Sequence, residues 1–265
     1  MSIKILKSLW CFREFILGAV KRDFEVRYNN SLLGFFWSIA NPVFTIAIYT
    51  LVFSSLMQPK LGIKQGNYSY SIYICTGILT WGLFSEIVHR VLNVFIDNSN
   101  ILKKISFPMI ALPISLLLIC ITNFFIIFSL FSLFLVCSGN FPGVSFLGIF
   151  PMLIILCLLG IGLGIFFGIL NIFFRDIGQF FVILMQLWFW LTPIVYPLNI
   201  LPDYIKDWVS WNPVTPIIMG LQSIMVDGNL PVWSSLIYPA CMALLFCLAG
   251  LRLLRRHGQD MVDEL

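Results

Sequence analysis

Long apolar runs constrain the fold of this chain more than any other feature. A bilayer core about 30 Å thick is crossed by roughly 20 apolar residues in a helix, and six runs of about that length occur in the sequence. With 60% hydrophobic and 11% charged residues, the chain has too little polar surface for a soluble domain of its size. The sequence therefore predicts an all-α, multi-pass membrane protein with six transmembrane helices. The predicted spans are Phe36 to Met57, Tyr70 to Leu92, Met109 to Cys137, Phe146 to Ile172, Ile177 to Pro197 and Val232 to Leu254.

Lysine and arginine residues predict how the chain lies in the membrane, because cytoplasmic segments carry an excess of them. Thirteen of the 16 fall in segments on one side, and only Lys60, Lys64 and Lys206 fall on the other. Both termini are therefore predicted to be cytoplasmic. The thirteen are Lys4, Lys7, Arg13, Lys21, Arg22, Arg27, Arg90, Lys103, Lys104, Arg175, Arg252, Arg255 and Arg256.

The links between the spans are short, so residues 1–265 are predicted to form a single transmembrane domain, with the spans in 36–254 and a cytoplasmic tail in 255–265. Within 1–35, the apolar residues from Leu6 to Tyr28 fall on one helical face and the charged residues on another. This pattern predicts an amphipathic helix lying in the cytoplasmic interface. A soluble helix packed on a partner is the alternative.

Ionisable residues are nearly absent from the predicted spans. Glu86, His89 and Arg90 lie in the last turns of the second span, and the spacing of Glu86 and Arg90 predicts an ion pair. The lack of central carboxylates argues against a proton-coupled transporter or a gradient-driven flippase. In the fourth span Gly160, Gly164 and Gly168 share one helix face, which predicts close packing against another helix.

Two of the predicted cytoplasmic links have distinctive residues. The second link, "NVFIDNSNILKKISFPMIALP", combines helix-capping residues with two lysines and predicts a short helix; a plain basic loop is the alternative. The link "NIFFRDIGQF" holds adjacent opposite charges at Arg175 and Asp176, which either dock a partner or anchor the helix ends.

Sequence motifs for catalysis and metal binding are missing from the chain. It contains no GxxxxGK[ST], HExxH, GxSxG or DxD motif, and its seven cysteines form no CxxC pair. A membrane-embedded glycosyl or acyl transferase would need a cluster of carboxylates or histidines at the membrane surface, which we do not find. The chain is therefore predicted to be neither an enzyme nor a metal-binding protein, and any work it performs must be powered from elsewhere.

The stretch Leu191 to Gln222 contains five prolines and cannot form one continuous helix. The pieces "LPDYIKDWVSW" and "NPVTPIIMGLQSIMV" predict two short helices. Because non-helical backbone at membrane depth must be surrounded by protein or a water-filled cavity, we predict an outward-facing, re-entrant helical hairpin between spans 5 and 6. The many aromatic rings nearby either line a channel or lie at the lipid interface.

Four blocks in order resemble the membrane subunit of bacterial type-2 ABC exporters of polysaccharides. They are "KRDFEVRYNNSLLGFFWSIANP", "NILKKISFPMIALP", "NIFFRDIGQ" and "TPIVYPLNILPDYIKDWVSWNPVTPII". The resemblance covers nearly the whole chain. It is closest to the branch that exports O-antigen and teichoic acid, since capsule exporters usually have Glu at the position of Asn41.

The resemblance implies a six-helix permease of the bacterial inner membrane that forms a homodimer and binds two cytoplasmic ATPase subunits. ATP and Mg would bind to those partners, and no cofactor to this chain; nucleic acid is not a partner. The implied substrate is O-antigen polysaccharide on undecaprenyl diphosphate, with a role in lipopolysaccharide biosynthesis. Teichoic-acid or capsule export, export of a small hydrophobic compound, and a membrane-embedded transferase are the alternatives.

The resemblance also implies roles for individual residues. The link Asp97 to Phe107 corresponds to the coupling helix that contacts the ATPase. Positive side chains of the amino-terminal segment either attract the lipid diphosphate or anchor that segment to lipid headgroups. The two short helices correspond to a periplasmic gate. The ATPase-coupling residues are Asp97, Asn98, Asn100, Ile101, Lys103, Lys104, Arg175 and Asp176; the diphosphate-binding residues are Arg13, Arg22 and Arg27; the channel or gate residues are Trp37, Trp190, Tyr196, Trp208, Trp211 and Pro213.

Overall fold

The computed structural model describes residues 14, 18–23, 25, 44, 48, 68–104 and 109–264. All regular secondary structure within these residues is helical, which confirms the predicted all-α class. The longer helices are α1, Ser69–Asp97; α3, Ala111–Cys137; α4, Ile149–Phe173; and α8, Ile237–Arg256. The shorter ones are α2, Ser99–Lys104; α5, Asp176–Leu191; α6, Asp203–Ser210; α7, Thr215–Asp227; and α9, Gly258–Glu264.

Four helical segments of the described residues are long and apolar enough to cross a membrane. They contain α1, α3, α4 and α8, and short 3₁₀ turns lead into α4 and α8. They correspond to the predicted second, third, fourth and sixth spans. The predicted first span lies outside the described residues except for Phe44 and Ile48, which are helical and exposed, so the count of six stays a prediction.

The predicted fifth span is wrong at its carboxyl end. Helix α5 stops at Leu191 and not at Pro197, and its 16 residues extend only about 24 Å. The cause is local, because Pro193 disfavours helical backbone at the residue before it, and Thr192 is extended with φ −101° and ψ 136°. The predicted tail, 255–265, contains the end of α8 and the helix α9.

Helix α4 lies at the centre of the described fold and packs against α1 on one side and α8 on another. Gly160, Gly164 and Gly168 face α1: a Cβ added at Gly164 would lie 2.6 Å from the Cβ of Val91. On the other side, a Cβ at Gly162 would lie 2.8 Å from the backbone nitrogen of Cys247 in α8. The close packing predicted from the glycine spacing is therefore confirmed.

The two ends of the described helices differ in charge. At one end, which we call the basic end, α9 packs against α2, α4 and α8, and the rings of Phe173 and His257 lie 6.3 Å apart. The opposite end, the hairpin end, holds residues 192–214. Lys206 is the one lysine or arginine of the described residues at the hairpin end. Exposed arginines of the basic end are Arg175, Arg252, Arg255 and Arg256.

Candidate functional site

The segment 192–197, which we call the unwound segment, follows α5 at the hairpin end and is non-helical but largely buried. Thr192 and Ile194 are both 0% exposed, and Pro193 is buried between them. Backbone carbonyls outside a helix have no intrahelical donor, and leaving them unpaired in an apolar interior is costly. The surrounding elements must therefore supply donors.

Two tyrosines of α1 supply some of these donors. Tyr70 Oη donates to the carbonyl oxygen of Val195 at 2.9 Å. Tyr73 Oη lies 3.1 Å from the carbonyl oxygens of both Pro193 and Tyr196. The first turns of α1 thus hold the unwound segment by its backbone.

Gln222 of α7 supplies the other donors. Its Nε2 lies 3.4 Å from the carbonyl oxygen of Pro193 and 3.3 Å from that of Ile194, and 3.4 Å from the carbonyl oxygen of Tyr73 in α1. A Cβ at Gly77 would lie 2.8 Å from this nitrogen, so the absence of a side chain at Gly77 makes room for the amide. We call Tyr70, Tyr73 and Gln222 the donor cluster.

Asn212 fixes the turn between α6 and α7 to the end of α5. Its Oδ1 accepts from Trp188 Nε1 at 2.8 Å and from the backbone nitrogen of Val214 at 2.9 Å. Its Nδ2 donates to Thr192 Oγ1 at 2.8 Å. One side chain therefore connects α5, the unwound segment and the start of α7.

An aromatic cavity of about 630 Å³ opens beside this turn. It brings together three of the predicted gate residues, Trp208, Trp211 and Pro213. Trp208 is 82% and Trp211 76% exposed, so their rings are available to a ligand or to another protein surface. The remaining lining residues are Trp188, Leu191, Tyr204, Ile205, Val209 and Asn212.

Two other predicted gate residues, Trp190 and Tyr196, lie outside the lining of this cavity. Tyr196 Oη donates to the carbonyl oxygen of Trp190 at 2.7 Å, and the Trp190 ring is exposed. Trp37 lies outside the described residues. Among the described residues, charge near the cavity is confined to α6, where Lys206 Nζ donates to Asp203 Oδ1 at 2.8 Å and lowers the pKa of that carboxyl.

The predicted coupling residues of the second link lie at the basic end. Asp97 ends α1, and Asn98 caps it by donating from Nδ2 to the carbonyl oxygen of Val94 at 2.8 Å. Asn100 and Lys103 are exposed on α2. The short helix predicted for this link is therefore confirmed. Ile101 and Lys104 belong to α2, but their side chains lie outside the described part of the structure.

The other predicted coupling residues, Arg175 and Asp176, form the turn between α4 and α5 and are exposed. This turn is held by Asn171 of α4, which is 2% exposed. Asn171 Oδ1 accepts from the backbone nitrogen of Gly178 at 2.8 Å, and its Nδ2 lies 3.4 Å from Asn93 Oδ1 of α1. The first turn of α5 is thus fixed to both α4 and α1.

An ion-pair network joins the amino-terminal helical residues to α1. Arg90 Nη2 lies 3.0 Å from Glu86 Oε1, as predicted from their spacing, and Nη1 lies 3.4 Å from Asp23 Oδ1. Asn123 of α3 extends the network, with Nδ2 3.4 Å from Glu86 Oε1. Of the predicted diphosphate-binding residues, Arg22 is exposed, and Arg13 and Arg27 lie outside the described residues.

Comparison with known proteins identifies the family. A family model described as ABC-2 type transporter matches residues 15–226, which include α1 to α6 and nearly all of α7. The chain belongs to the ABC-2 type transporter family. The predicted resemblance is confirmed, and so is the prediction of a transport subunit that is not itself the ATPase.

Curated relatives of this ABC-2 chain are polysaccharide transport proteins. The chain is 29% identical to "O-antigen export system permease protein RfbA" of Klebsiella pneumoniae over 231 residues, a stretch that covers 87% of each chain. It is 24% identical to the protein of the same name in Myxococcus xanthus, over 99% of this chain and 100% of the relative. It is 22% identical to "Polysialic acid transport protein KpsM" of Escherichia coli, over 92% and 93% respectively.

Several polar residues of this ABC-2 site were missed by the sequence reasoning. The donor cluster, Asn171 and Asn212 are separated widely along the chain from most of their partners, so no local motif marks them. A weak signal was available, because Gln222 and Asn171 are polar residues within apolar helices. A buried polar side chain requires hydrogen-bonding partners, and this requirement could have drawn attention to both.

Proposed function

We propose that this permease exports O-antigen polysaccharide, linked to undecaprenyl diphosphate, from the cytoplasmic to the periplasmic side of a bacterial inner membrane. The observation that carries the proposal is the aromatic cavity, whose exposed Trp208 and Trp211 rings offer flat apolar surfaces for sugar rings and almost no charge. The similarity to O-antigen export permeases of two organisms along most of their length supports the same substrate class.

The α6–α7 hairpin would be the re-entrant gate of this exporter. The hairpin turn is bonded to the Trp188 ring through Asn212. The centroid of that ring lies 6.2 Å from the ring centroid of Trp81 and 5.4 Å from that of Phe84. These two residues lie about 18 and 22 Å along α1 from its first residue. A turn at that depth, between helices of 8 and 13 residues that are too short to span a bilayer, supports re-entrance from the hairpin end.

The basic end would face the cytoplasm and bind the ATPase. Its exposed arginines match the bias of cytoplasmic segments, and both termini would then be cytoplasmic. Helix α2 would receive the ATPase movement together with the Arg175–Asp176 turn. The transporter would be a homodimer with two ATPase subunits, which alone bind ATP and Mg.

The lipid diphosphate would approach along the amino-terminal interface helix. Arg22 is exposed there, and arginine forms bidentate, charge-assisted hydrogen bonds with phosphate groups. Arg13 and Arg27 would contribute to the same site. Substituting all three by Gln should weaken binding of the lipid-linked glycan without changing ATPase docking. Headgroup anchoring alone would instead reduce membrane insertion and leave binding of the glycan per inserted molecule unchanged.

Depletion of the protein in its native cell tests the proposed substrate, and purification from that cell tests the proposed partner. After depletion, we expect lipid-linked O-antigen to accumulate at the cytoplasmic face. After purification, we expect an ATPase to be present with the permease. An unchanged glycan distribution together with the absence of any ATPase partner would refute the proposal. Replacing Ile101 to Lys104 by a Gly/Ser linker tests the role of α2, since ATPase docking that persists unaltered would rule out coupling through this helix.

Capsule export is the second candidate, because the similarity to the polysialic acid transport protein also extends over 92% of this chain. The same depletion experiment distinguishes the two. Accumulated glycan with O-antigen repeats supports the first proposal, and accumulated capsule or teichoic-acid polymer supports the second.

A further inference from the structure

We propose that Gln222 and Tyr73 are positioning residues that hold the unwound segment, and through it the α6–α7 hairpin, in the closed arrangement of the transport path. The inference rests on the proposed function of the hairpin as a gate. It adds the specific side chains that keep the gate closed in the absence of nucleotide.

The backbone carbonyl groups of the unwound segment obtain donors from these two side chains. The oxygens of Pro193, Ile194 and Tyr196 have left helical geometry and lie within 3.4 Å of Tyr73 Oη or Gln222 Nε2. These two side chains come from α1 and α7, so the unwound segment is clamped between two elements that precede and follow it in the chain. Without these donors, the carbonyls could be satisfied only by water or by a new position of the segment.

Residue 222 is polar although its position in α7 is buried. Gln222 is 2% exposed, and its Oε1 is buried with no hydrogen-bond partner in the described structure. An apolar side chain of similar size would avoid that unpaired acceptor. The amide is therefore understandable only through its donor group, which serves the unwound segment.

Gln222 and Tyr73 each lie close to more acceptor oxygens than they have hydrogens to donate. The amide of Gln222 has two hydrogens, and three carbonyl oxygens lie within 3.4 Å of its nitrogen, those of Tyr73, Pro193 and Ile194. Exchange among the three requires only small displacements of the side chain. Tyr73 likewise has one hydrogen and two acceptors. Such contacts hold a segment in place yet allow it to shift stepwise when the ATPase drives opening.

The consequence for the hairpin follows from Asn212. Thr192, the first residue of the unwound segment, accepts from Asn212 Nδ2 at 2.8 Å, and Asn212 fixes the hairpin turn. Displacement of the segment would therefore move the turn. Loss of one net hydrogen bond shifts a two-state equilibrium about fivefold, so variants that lack these donors should open without ATP.

The test uses the complete transporter, purified with its ATPase and reconstituted into liposomes, and measures leakage of radiolabelled sucrose without nucleotide. The variants are Gln222→Leu, which removes the amide at similar volume, and Tyr73→Phe, which removes one hydroxyl. Thr76→Val is the matched control, because Thr76 is a buried residue of the same helix. Among the described residues its hydroxyl bonds only the carbonyl oxygen of Ile72, within that helix, at 2.7 Å.

We expect Gln222→Leu and Tyr73→Phe to fold with a modest loss of heat resistance, because backbone carbonyls lose donors, and to leak sucrose about fivefold faster per folded transporter. Thr76→Val should leak at the unmodified rate. A purely structural role would lower the folded yield but leave leakage per folded molecule unchanged. Unchanged leakage per folded molecule in Gln222→Leu and Tyr73→Phe would overturn the inference. So would leakage in Thr76→Val as fast as in those two variants, or failure of both variants to fold.

The sucrose measurement is independent of the exported polymer. If the unmodified transporter moves no O-antigen while the two variants leak, the export proposal fails and the positioning inference stands. If it exports O-antigen and the variants remain tight, only the positioning inference fails.

Discussion

Packing of α4 against α1 depends on a glycine surface, and Gly164→Ala is the substitution that tests it most sharply. A Cβ at this position would lie 2.6 Å from Val91 Cβ and 2.8 Å from Val91 Cγ1. Carbon atoms in contact are normally about 3.5–4.0 Å apart. The added methyl therefore has to push the two helices apart by about 1 Å at this level, because Cβ of Val91 cannot rotate away.

The magnitude follows from two opposing effects. Overpacking of this kind costs about 1–3 kcal/mol, whereas replacing glycine by alanine within a helix gains about 0.5–1 kcal/mol. We expect a net loss of roughly 1–2 kcal/mol for Gly164→Ala. Gly160→Ala should lose less, since the nearest atom to its Cβ is a terminal methyl group, Ile87 Cγ2, at 3.0 Å.

Gly82→Ala is the matched control, because Gly82 is exposed on α1 and a Cβ there meets nothing within 4 Å. The assay is the fraction of detergent-solubilised protein that survives a graded heat treatment as a monodisperse species. The expected order of heat resistance is Gly82→Ala, then Gly160→Ala, then Gly164→Ala. Equal heat resistance of Gly164→Ala and Gly82→Ala would refute the packing account.

Three polar contacts give further predictions. Asn212→Leu removes the partner of Trp188 Nε1 and should lower the unfolding free energy by about 1–3 kcal/mol, measured by thermal unfolding in detergent. Arg90→Met removes the ion pair between Arg90 and Glu86. Because the network is partly exposed, the loss of unfolding free energy should be about 1 kcal/mol and should shrink in high salt, which unfolding at two salt concentrations measures. Asn171→Leu removes a cap of α5 and should cost about 1 kcal/mol, seen as faster amide hydrogen exchange in the first turn of that helix; unchanged exchange would contradict the assigned cap.

Much of the fold could be predicted from the sequence because hydrophobic length and proline position act locally. Four predicted spans correspond to long apolar helices, and the two short helices after Leu201 follow from the positions of prolines. The end of α7 at the left-handed residue Gly228 was not predicted. The end of α5 was misjudged because apolar residues continue beyond it. A helix and a buried unwound segment are equally hydrophobic, so hydrophobicity does not mark where α5 ends. The sequence signal for that end is Pro193, which disfavours helical backbone at Thr192.

The site was less predictable, since its contacts join distant parts of the chain. Tyr73 and Tyr196 are 123 residues apart, and Gln222 and Tyr73 are 149 apart. Aromatic side chains near 188–211 were recognised as a group, but composition does not say which rings share a cavity. Trp208 and Trp211 do, whereas Trp190 lies apart from it. Such distinctions require the path of the unwound segment.

ATP-dependent movement of polysaccharide across inverted inner-membrane vesicles tests the central claim most directly. The cytoplasmic face is outside in these vesicles, so exported O-antigen enters the lumen and becomes protected from an added glycosidase. We predict protection that requires ATP, the ATPase partner and this permease together. Protection that is equally large in vesicles without the permease, or no protection in complete vesicles with ATP, would contradict the assignment of this chain to O-antigen export.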